Sequence, residues 1–307
     1  MTARSALTCA DDLDTFMADI LDVIVSIGFH GLALAMVLYL ISVGLSVTMG
    51  LMGFVNLAHG VFAMIGGYAM TTLMSRAGVP FALALAAGVA IAVIASIILE
   101  RLLYRRLYGG SELDQVLLTM GLIFMSVATA NYFWGPVSQP MMLPALLGGH
   151  IDLGFREFPS YRCFLIVCGS ALVMALWLGL ERTRFGAQVR AAVDNLRMAQ
   201  SVGINTSRLF TLTFALGSGL AALGGGLGAD IIPIDPNYAL ANLVYFLIVV
   251  SVGGLGSIRG PFIAAVMVGV ADTAIKYLVP ELGAFFIYAL TMAILLWRPR
   301  GLFGLAR

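Results

Sequence analysis

The sequence predicts an all-α fold, a polytopic membrane bundle of about 8–10 transmembrane helices, and three observations carry that reading. Of the 307 residues, 61% are hydrophobic and only 11% are charged, with a mean hydropathy of +1.00. A soluble domain carries roughly 45–50% apolar and about 25% charged residues, so this chain lacks the charge to keep a surface wet all round. The apolar residues fall in runs of helical length, split by Gly, Pro and charge clusters, without the period-2 alternation of an outer-membrane barrel. At roughly 20 residues per crossing, the apolar content supports about nine spans. Soluble enzymes, nucleic-acid binders and disordered proteins are excluded, and a net charge of +1 provides no basic field for nucleic acid.

The elements follow in order. An acidic N-terminal segment, 1–22, carries Asp11, Asp12, Asp14, Asp19 and Asp22 and has no basic stretch feeding an apolar one, so it does not read as a cleavable signal. The membrane domain occupies 23–307, with spans near 23–47, 51–74, 80–100, 115–134, 162–180, 208–229, 239–256, 260–279 and 283–297. The 51–74 run contains Asn56, His59 and Gly60 and reads as a broken or re-entrant helix; the 239–256 run is short and ends in glycines. Arginines set the orientation. Arg101, Arg105 and Arg106, the set from Arg182 to Arg208, and Arg298, Arg300 and Arg307 are expected on the cytoplasmic side. The acidic N-terminus, the 135–161 loop (where Arg156 is offset by Asp152 and Glu157), the Asp230–Asp235 loop and the Lys276–Glu281 turn are expected outside. This places the N-terminus in the periplasm and the C-terminus in the cytoplasm of an inner-membrane protein. A faint internal echo pairs Met52-Gly53 and Gly66 with Leu255-Gly256 and Gly269, at an offset of 203; related halves with interrupted helices are common in transporters.

Several chemistries are missing. No G-x-x-x-x-G-K-[ST] occurs, and the sole lysine, Lys276, precedes Tyr277, so the chain holds no P-loop of its own. His30, His59 and His150 form no metal-binding pair, and Cys9, Cys163 and Cys168 form no C-x-x-C, so no metal site, no cofactor and no catalytic set is expected. Asp272 is the main acid within a span, close enough to the outer end to hydrate there. It alone could serve an ion-coupled carrier.

Three segments are specialised. In 49–68, Asn56 and His59 lie three positions apart and would share a face of a helix. Either they form a polar patch on a translocation path, or they make hydrogen bonds that hold the bundle together. Asn131, Asn242 and Tyr245 are open to the same two readings. In 181–209, Phe185, Val189, Ala192 and Val193, then Leu196 and Ala199, recur at helical spacing. Asp194-Asn195 can cap a second short helix ending near Ser201, Gly203 suits its stop, and Asn205 or Thr206 can start the next span. This reads as two short helices on the membrane face, a knuckle for a partner's groove, against the alternative of a plain connecting loop. In 253–261, the glycines make a tight turn, Ser257 can cap locally and Pro261 suits the first position of a new helix.

Together, Asn56-Leu57-Ala58-His59-Gly60, then Arg182-Thr183-Arg184-Phe185-Gly186 through Asp194-Asn195 to Gly203-Ile204-Asn205, then Gly253-Gly254-Leu255-Gly256-Ser257 with Gly260, resemble the permeases of bacterial branched-chain amino acid ABC importers. The likeness is to the shorter, H-type subunit and runs from about residue 30 to the C-terminus. The resemblance implies an ABC permease paired with a second permease subunit, identical or homologous, with two cytoplasmic ATPase subunits and with a periplasmic solute-binding protein. It implies that 181–207 is the coupling segment, with Arg184, Gly186, Arg190, Asp194, Ala199 and Gly203 at its matching positions. It places Asn56, His59 and Gly60 in the membrane-embedded motif, with Asn131, Asn242 and Tyr245 as further lining candidates. Leu57 and Val61 depart from the family pattern, where Phe and an acid are common, and the acidic segment 1–22 has no family counterpart. The expected cargo is a branched-chain or other amino acid; related permeases carry urea, amides or aromatic acids. The competing class is a self-contained carrier that uses Asp272.

Overall fold

In the computed structural model, residues 2–152, 157–298 and 301–302 are described, with side chains from Ile20 onward except at 284. Arg156, Arg300, Arg307 and the side chains of Cys9, Asp11, Asp12, Asp14 and Asp19 lie outside the described residues. Among the described residues the chain forms twelve α-helices and one short hairpin: α1 Thr2–Met52, α2 His59–Ala77, α3 Phe81–Leu102, α4 Glu112–Trp134, β1 His150–Asp152, β2 Glu157–Pro159, α5 Ser160–Arg182, α6 Arg184–Asp194, α7 Leu196–Ser201, α8 Thr206–Leu227, α9 Tyr238–Ala241, α10 Leu243–Gly253, α11 Arg259–Leu278 and α12 Gly283–Trp297. Six helical stretches are long and apolar enough to cross a membrane, in α1, α3, α4, α5, α8 and α11. The 19-residue α2 runs between them, and α10 with α9, and α12, are shorter apolar helices. The chain is a polytopic helical membrane bundle.

Burial sorts the helices into a central pair and an outer ring. In α1 and α8, 83% and 78% of the most apolar window is buried, against 22%, 17% and 17% in α3, α4 and α5. The pair crosses at Gly44 and Gly217, where a Cβ on Gly217 would stand 2.9 Å from the Gly44 carbonyl oxygen. Lipid is as apolar as leucine, so helices in it associate by close packing, and small residues permit that packing. On the outer ring Leu83, Ile91, Ile94 and Ile98 of α3, Leu117 and Phe124 of α4, and Val167 and Met174 of α5 are exposed. These are the side chains that suit a lipid solvent.

Most of the described arginines gather at one end, Arg162 being at the other. Thr211 at the start of α8 donates to the Glu100 carboxylate at the end of α3 (2.9 Å). Arg259 at the start of α11 pairs with Glu181 at the end of α5 (2.7 Å). At the opposite end the Tyr161 hydroxyl donates to the Leu227 carbonyl (2.7 Å), and the Gln139 amide donates to the Ile234 carbonyl (2.8 Å). There, within the stretch expected as the 135–161 loop, the β1–β2 hairpin pairs Ile151 with Phe158. It lays the buried Phe158 ring on Phe29 of α1, 4.5 Å between centroids.

Three local expectations change. The 51–74 run does break, but between Met52 and His59, and α1 runs five residues beyond its expected end at 47. Asn56 therefore lies in the break and does not share a helix face with His59. Pro261 is the third residue of α11, not the first; Ser257 caps that turn by accepting from the Gly260 amide (3.0 Å). The two echoing glycine turns, with Gly53 at φ +60° and Gly256 at φ +76°, lie at the same end of the bundle: Gly50, three residues before Gly53, packs on Gly256, whose amide donates to the Ser46 carbonyl (3.1 Å).

Candidate functional site

The break between α1 and α2 begins at Gly53, whose positive φ ends α1. Its amide donates back to the Met49 carbonyl (2.9 Å). Non-helical backbone at membrane depth must find partners inside the protein. Here the Val55 amide donates to Gln115 Oε1 (3.0 Å), while Gln115 Nε2 donates to the Leu107 carbonyl (3.3 Å). Asn56 Oδ1 accepts from the Tyr104 hydroxyl (3.1 Å). Phe54 packs near the Tyr104 and Tyr108 rings, at 5.2 and 6.1 Å. Burial and the Glu100 carboxylate, 2.6 Å away, push the Tyr108 phenol above its usual range, so it stays a donor.

His59 opens α2 and is buried. Its Nε2 lies 3.1 Å from the Ile41 carbonyl on α1. A carbonyl only accepts, so Nε2 carries the proton and Nδ1 presents a bare lone pair. Among the described residues, His59 Nδ1 and Asn56 Nδ2 are buried without partners. Next to it, Gly60 lets the start of α2 approach the second interrupted stretch. A Cβ there would stand 3.1 Å from the Phe246 ring and 3.3 Å from Ala239. The interruption before α2 and the one around α9 and α10 thus face one another inside the bundle. This is the pattern by which transporters build mid-membrane sites from discontinuous helices.

A second cluster lies toward the opposite end. A cavity of about 480 Å³ is lined by α1, the start of α5, the 231–233 stretch, the start of α10 and the end of α11. It holds Asn242, Tyr245 and Asp272. Tyr245 donates to Asp272 Oδ1 (2.9 Å), and Lys276 pairs with Oδ2 (2.7 Å). The expectation that Asp272 hydrates at the outer end is corrected. Its side chain is 1% exposed, and Lys276, one helical turn on, supplies the counter-charge instead.

At the arginine-rich end, α6 and α7 form the knuckle the sequence outlined. Thr183 caps α6 by accepting from the Gly186 amide (3.2 Å), Asn195 caps α7 by accepting from Met198 (3.0 Å), and Asn205 caps α8 by accepting from Arg208 (3.0 Å). Gly203 reverses the chain at φ +87°. Gly186, Val189, Ala192 and Ala199 face inward, while Arg184, Arg190 and Asp194 are exposed. A Cβ on Gly186 would land on the Leu180 carbonyl oxygen, the same atom that accepts from Arg190 Nη1. Val193 meets the Gly256 turn, at 3.2 Å from a Cβ built there.

Residues 27–295 match the family model described as "Branched-chain amino acid transport system / permease component". The chain belongs to this family. The permease is 30% identical over 292 residues to the high-affinity branched-chain amino acid transport system permease protein BraD of Pseudomonas aeruginosa, covering 90% of this chain and 94% of that one. It is 29% identical over 293 residues to the permease protein LivH of Escherichia coli strain K12, with the same coverage. It is 27% identical over 286 residues to a probable LivH of Methanocaldococcus jannaschii, covering 87% of this chain and 88% of the other. No solved structure matches it.

Within the permease, the sequence-marked residues fall into three places. Asn56, His59 and Gly60 meet at the break; Asn242 and Tyr245 line the opposite-end cavity; the six knuckle residues stay together on α6, α7 and the turn after them. Asn131 joins none of these. It is exposed near the end of α4 and donates to the Val127 carbonyl of its own helix (2.9 Å). The sequence reading missed Tyr104, Gln115 and Glu100, which brace the break. Glu100, a buried acid at the last turn of a span, was the available signal.

Proposed function

We propose that this chain is a permease subunit of an ATP-binding-cassette importer that moves branched-chain or similar amphipathic amino acids into the bacterial cytoplasm. The partners are a second permease subunit, two cytoplasmic ATPase subunits and a periplasmic solute-binding protein. The arginine-rich end faces the cytoplasm, by the positive-inside rule, with the N-terminus periplasmic and the C-terminus cytoplasmic. The relatives named as branched-chain amino acid permeases support the solute. The missing P-loop supports a separate motor.

The observation that carries the mechanism is the continuity between the knuckle and the break. Val193 of α6 touches the Gly256 turn, and Ser46 of α1 bonds that turn through its carbonyl and, from its hydroxyl, to the Ser257 carbonyl (3.0 Å). One turn or so along α1, the Ile41 carbonyl holds His59. A shift of the knuckle driven by ATPase closure thereby reaches the interrupted helices, and two arrangements of the bundle exchange access to the two sides.

The test is co-expression with the cognate ATPase subunits and binding protein, followed by leucine uptake into proteoliposomes. Uptake that requires ATP, with a stable ATPase partner on purification, supports the proposal. Uptake by this chain alone on an ion gradient supports the carrier reading; Asp272 speaks against it, because Lys276 and Tyr245 already occupy both carboxylate oxygens. The double variant Arg190→Ala with Asp194→Ala should lower uptake by about 5–150-fold, the usual span of a coupling energy, with ATPase activity retained. Unchanged uptake removes the coupling role from 181–207. His59→Leu should assemble normally yet slow uptake; normal uptake in that variant makes His59 a purely structural residue.

A further inference from the structure

We propose that the opposite-end cavity is a carboxylate-reading loading site. It takes an amphipathic monocarboxylate, such as a zwitterionic amino acid, and discriminates against uncharged amides and urea. The proposal rests on the importer reading above and names where, and by which group, the permease itself meets that solute.

Charge is the first argument. Three formal charges line the cavity: Arg162, Lys276 and Asp272. Lys276 and Asp272 neutralise one another at 2.7 Å. Arg162 Nη1 donates to His30 Nδ1, a neutral acceptor. Among the described residues no carboxylate lies within ion-pair reach of Arg162. The lining therefore carries one excess positive charge, on the side chain whose planar fork matches a carboxylate. A solute carboxylate completes that balance. Urea or a primary amide brings no charge and leaves the guanidinium without its counter-ion.

The floor is the second argument. Leu34 and Leu38 of α1, with Ile231 and Ile232, form an apolar surface beneath the charged rim. A volume of about 480 Å³ falls within the roughly 300–1,000 Å³ of small-molecule sites. An aliphatic side chain can lie on this floor while its carboxylate reaches Arg162. Tyr245 and Asn242 supply neutral polar groups in the lining.

Position is the third. Tyr245 lines the cavity, and the next residue, Phe246, packs on Gly60 at the start of α2. Leu38 of the floor lies one helical turn from Ile41, whose carbonyl holds His59. The cavity thus adjoins the break from the side opposite the knuckle, where a solute handed over by an external binding protein would enter.

Saturation-transfer NMR on the assembled transporter in nanodiscs, without the binding protein, tests the site directly. The probes are L-leucine, 4-methylpentanoate and the uncharged 4-methylpentanamide, with empty nanodiscs as the blank. Leucine and 4-methylpentanoate should give methyl signals above the blank, while 4-methylpentanamide stays at it. Arg162→Gln should weaken leucine binding by about tenfold, the usual worth of one charge-assisted hydrogen bond, and Arg162→Lys, which keeps the charge but not the fork, should restore only part of it. Equal signals from 4-methylpentanamide and 4-methylpentanoate overturn the proposal, as does a wild-type leucine signal at the blank level. The probe series on the wild type needs no variant to fold. ATP-driven uptake of leucine with no carboxylate preference at the permease leaves the importer reading standing and removes this one; a carboxylate preference without ATP-driven uptake does the reverse.

Discussion

Gly217→Leu should leave almost no folded permease in the membrane. At the α1–α8 crossing, a Cβ on Gly217 would stand 2.9 Å from the Gly44 carbonyl oxygen and 3.1 Å from Thr48 Cγ2. Side-chain overpacking costs about 1–3 kcal/mol when neighbours can turn aside. Backbone cannot turn aside, so the cost here lies at or above the top of that range. The damage spreads because α1 and α8 are the most buried of the long helices, and helices in lipid lack a hydrophobic drive to reseat themselves. The measurement is the yield of monodisperse protein after detergent extraction, with its melting temperature. Gly28→Leu is the matched control, since nothing stands within 4 Å of a Cβ there. Equal losses in both variants would mean that the crossing is not the sensitive point.

Gly186→Val should cut ATP-driven uptake by about 5–150-fold, the range of one coupling free energy, while the permease still assembles. The added methyls collide with the backbone of Leu180 at the end of α5. To relieve that, α6 must lift, which breaks the Arg190 bond to the Leu180 carbonyl and draws Val193 away from the Gly256 turn. The readout is uptake per ATP hydrolysed, because loss of coupling leaves hydrolysis running. Gly179→Ala, with open space around its Cβ, should behave as wild type. A Gly186→Val transporter with normal stoichiometry would show that the knuckle transmits no force along this route.

Much of the fold was legible because membrane helices obey local rules. The last two apolar runs, expected as spans at 260–279 and 283–297, form the helices Arg259–Leu278 and Gly283–Trp297, the second shorter than a full crossing, since charge and proline bracket both runs. Asn195 and Asn205 were readable as caps because a cap bonds an amide only three residues away. The break was visible as an expensive polar pair in an apolar run, yet spacing alone does not place it. Asn56 and His59 fit a helical face by spacing, and only the backbone turn at Gly53 removes Asn56 from the helix. Their partners were out of reach, because Tyr104 is 48 residues from Asn56 and the Ile41 carbonyl 18 from His59. The same limit applies to Asp272. Lys276 was readable at one helical turn, whereas Tyr245 and the nearby Arg162 are not.

By itself, the sequence determined the solvent, most of the apolar helices and the caps of the 181–209 segment, because hydropathy and capping act within one helix or one turn. Tertiary structure alone decided which helices are central, that the two interruptions face each other and that the knuckle touches the turn bonded to α1. It also gathered Arg162, Asp272 and Lys276 around one cavity. Those outcomes depend on which glycine meets which backbone and which buried polar atom finds a distant partner, and apolar runs of similar length carry little information about that.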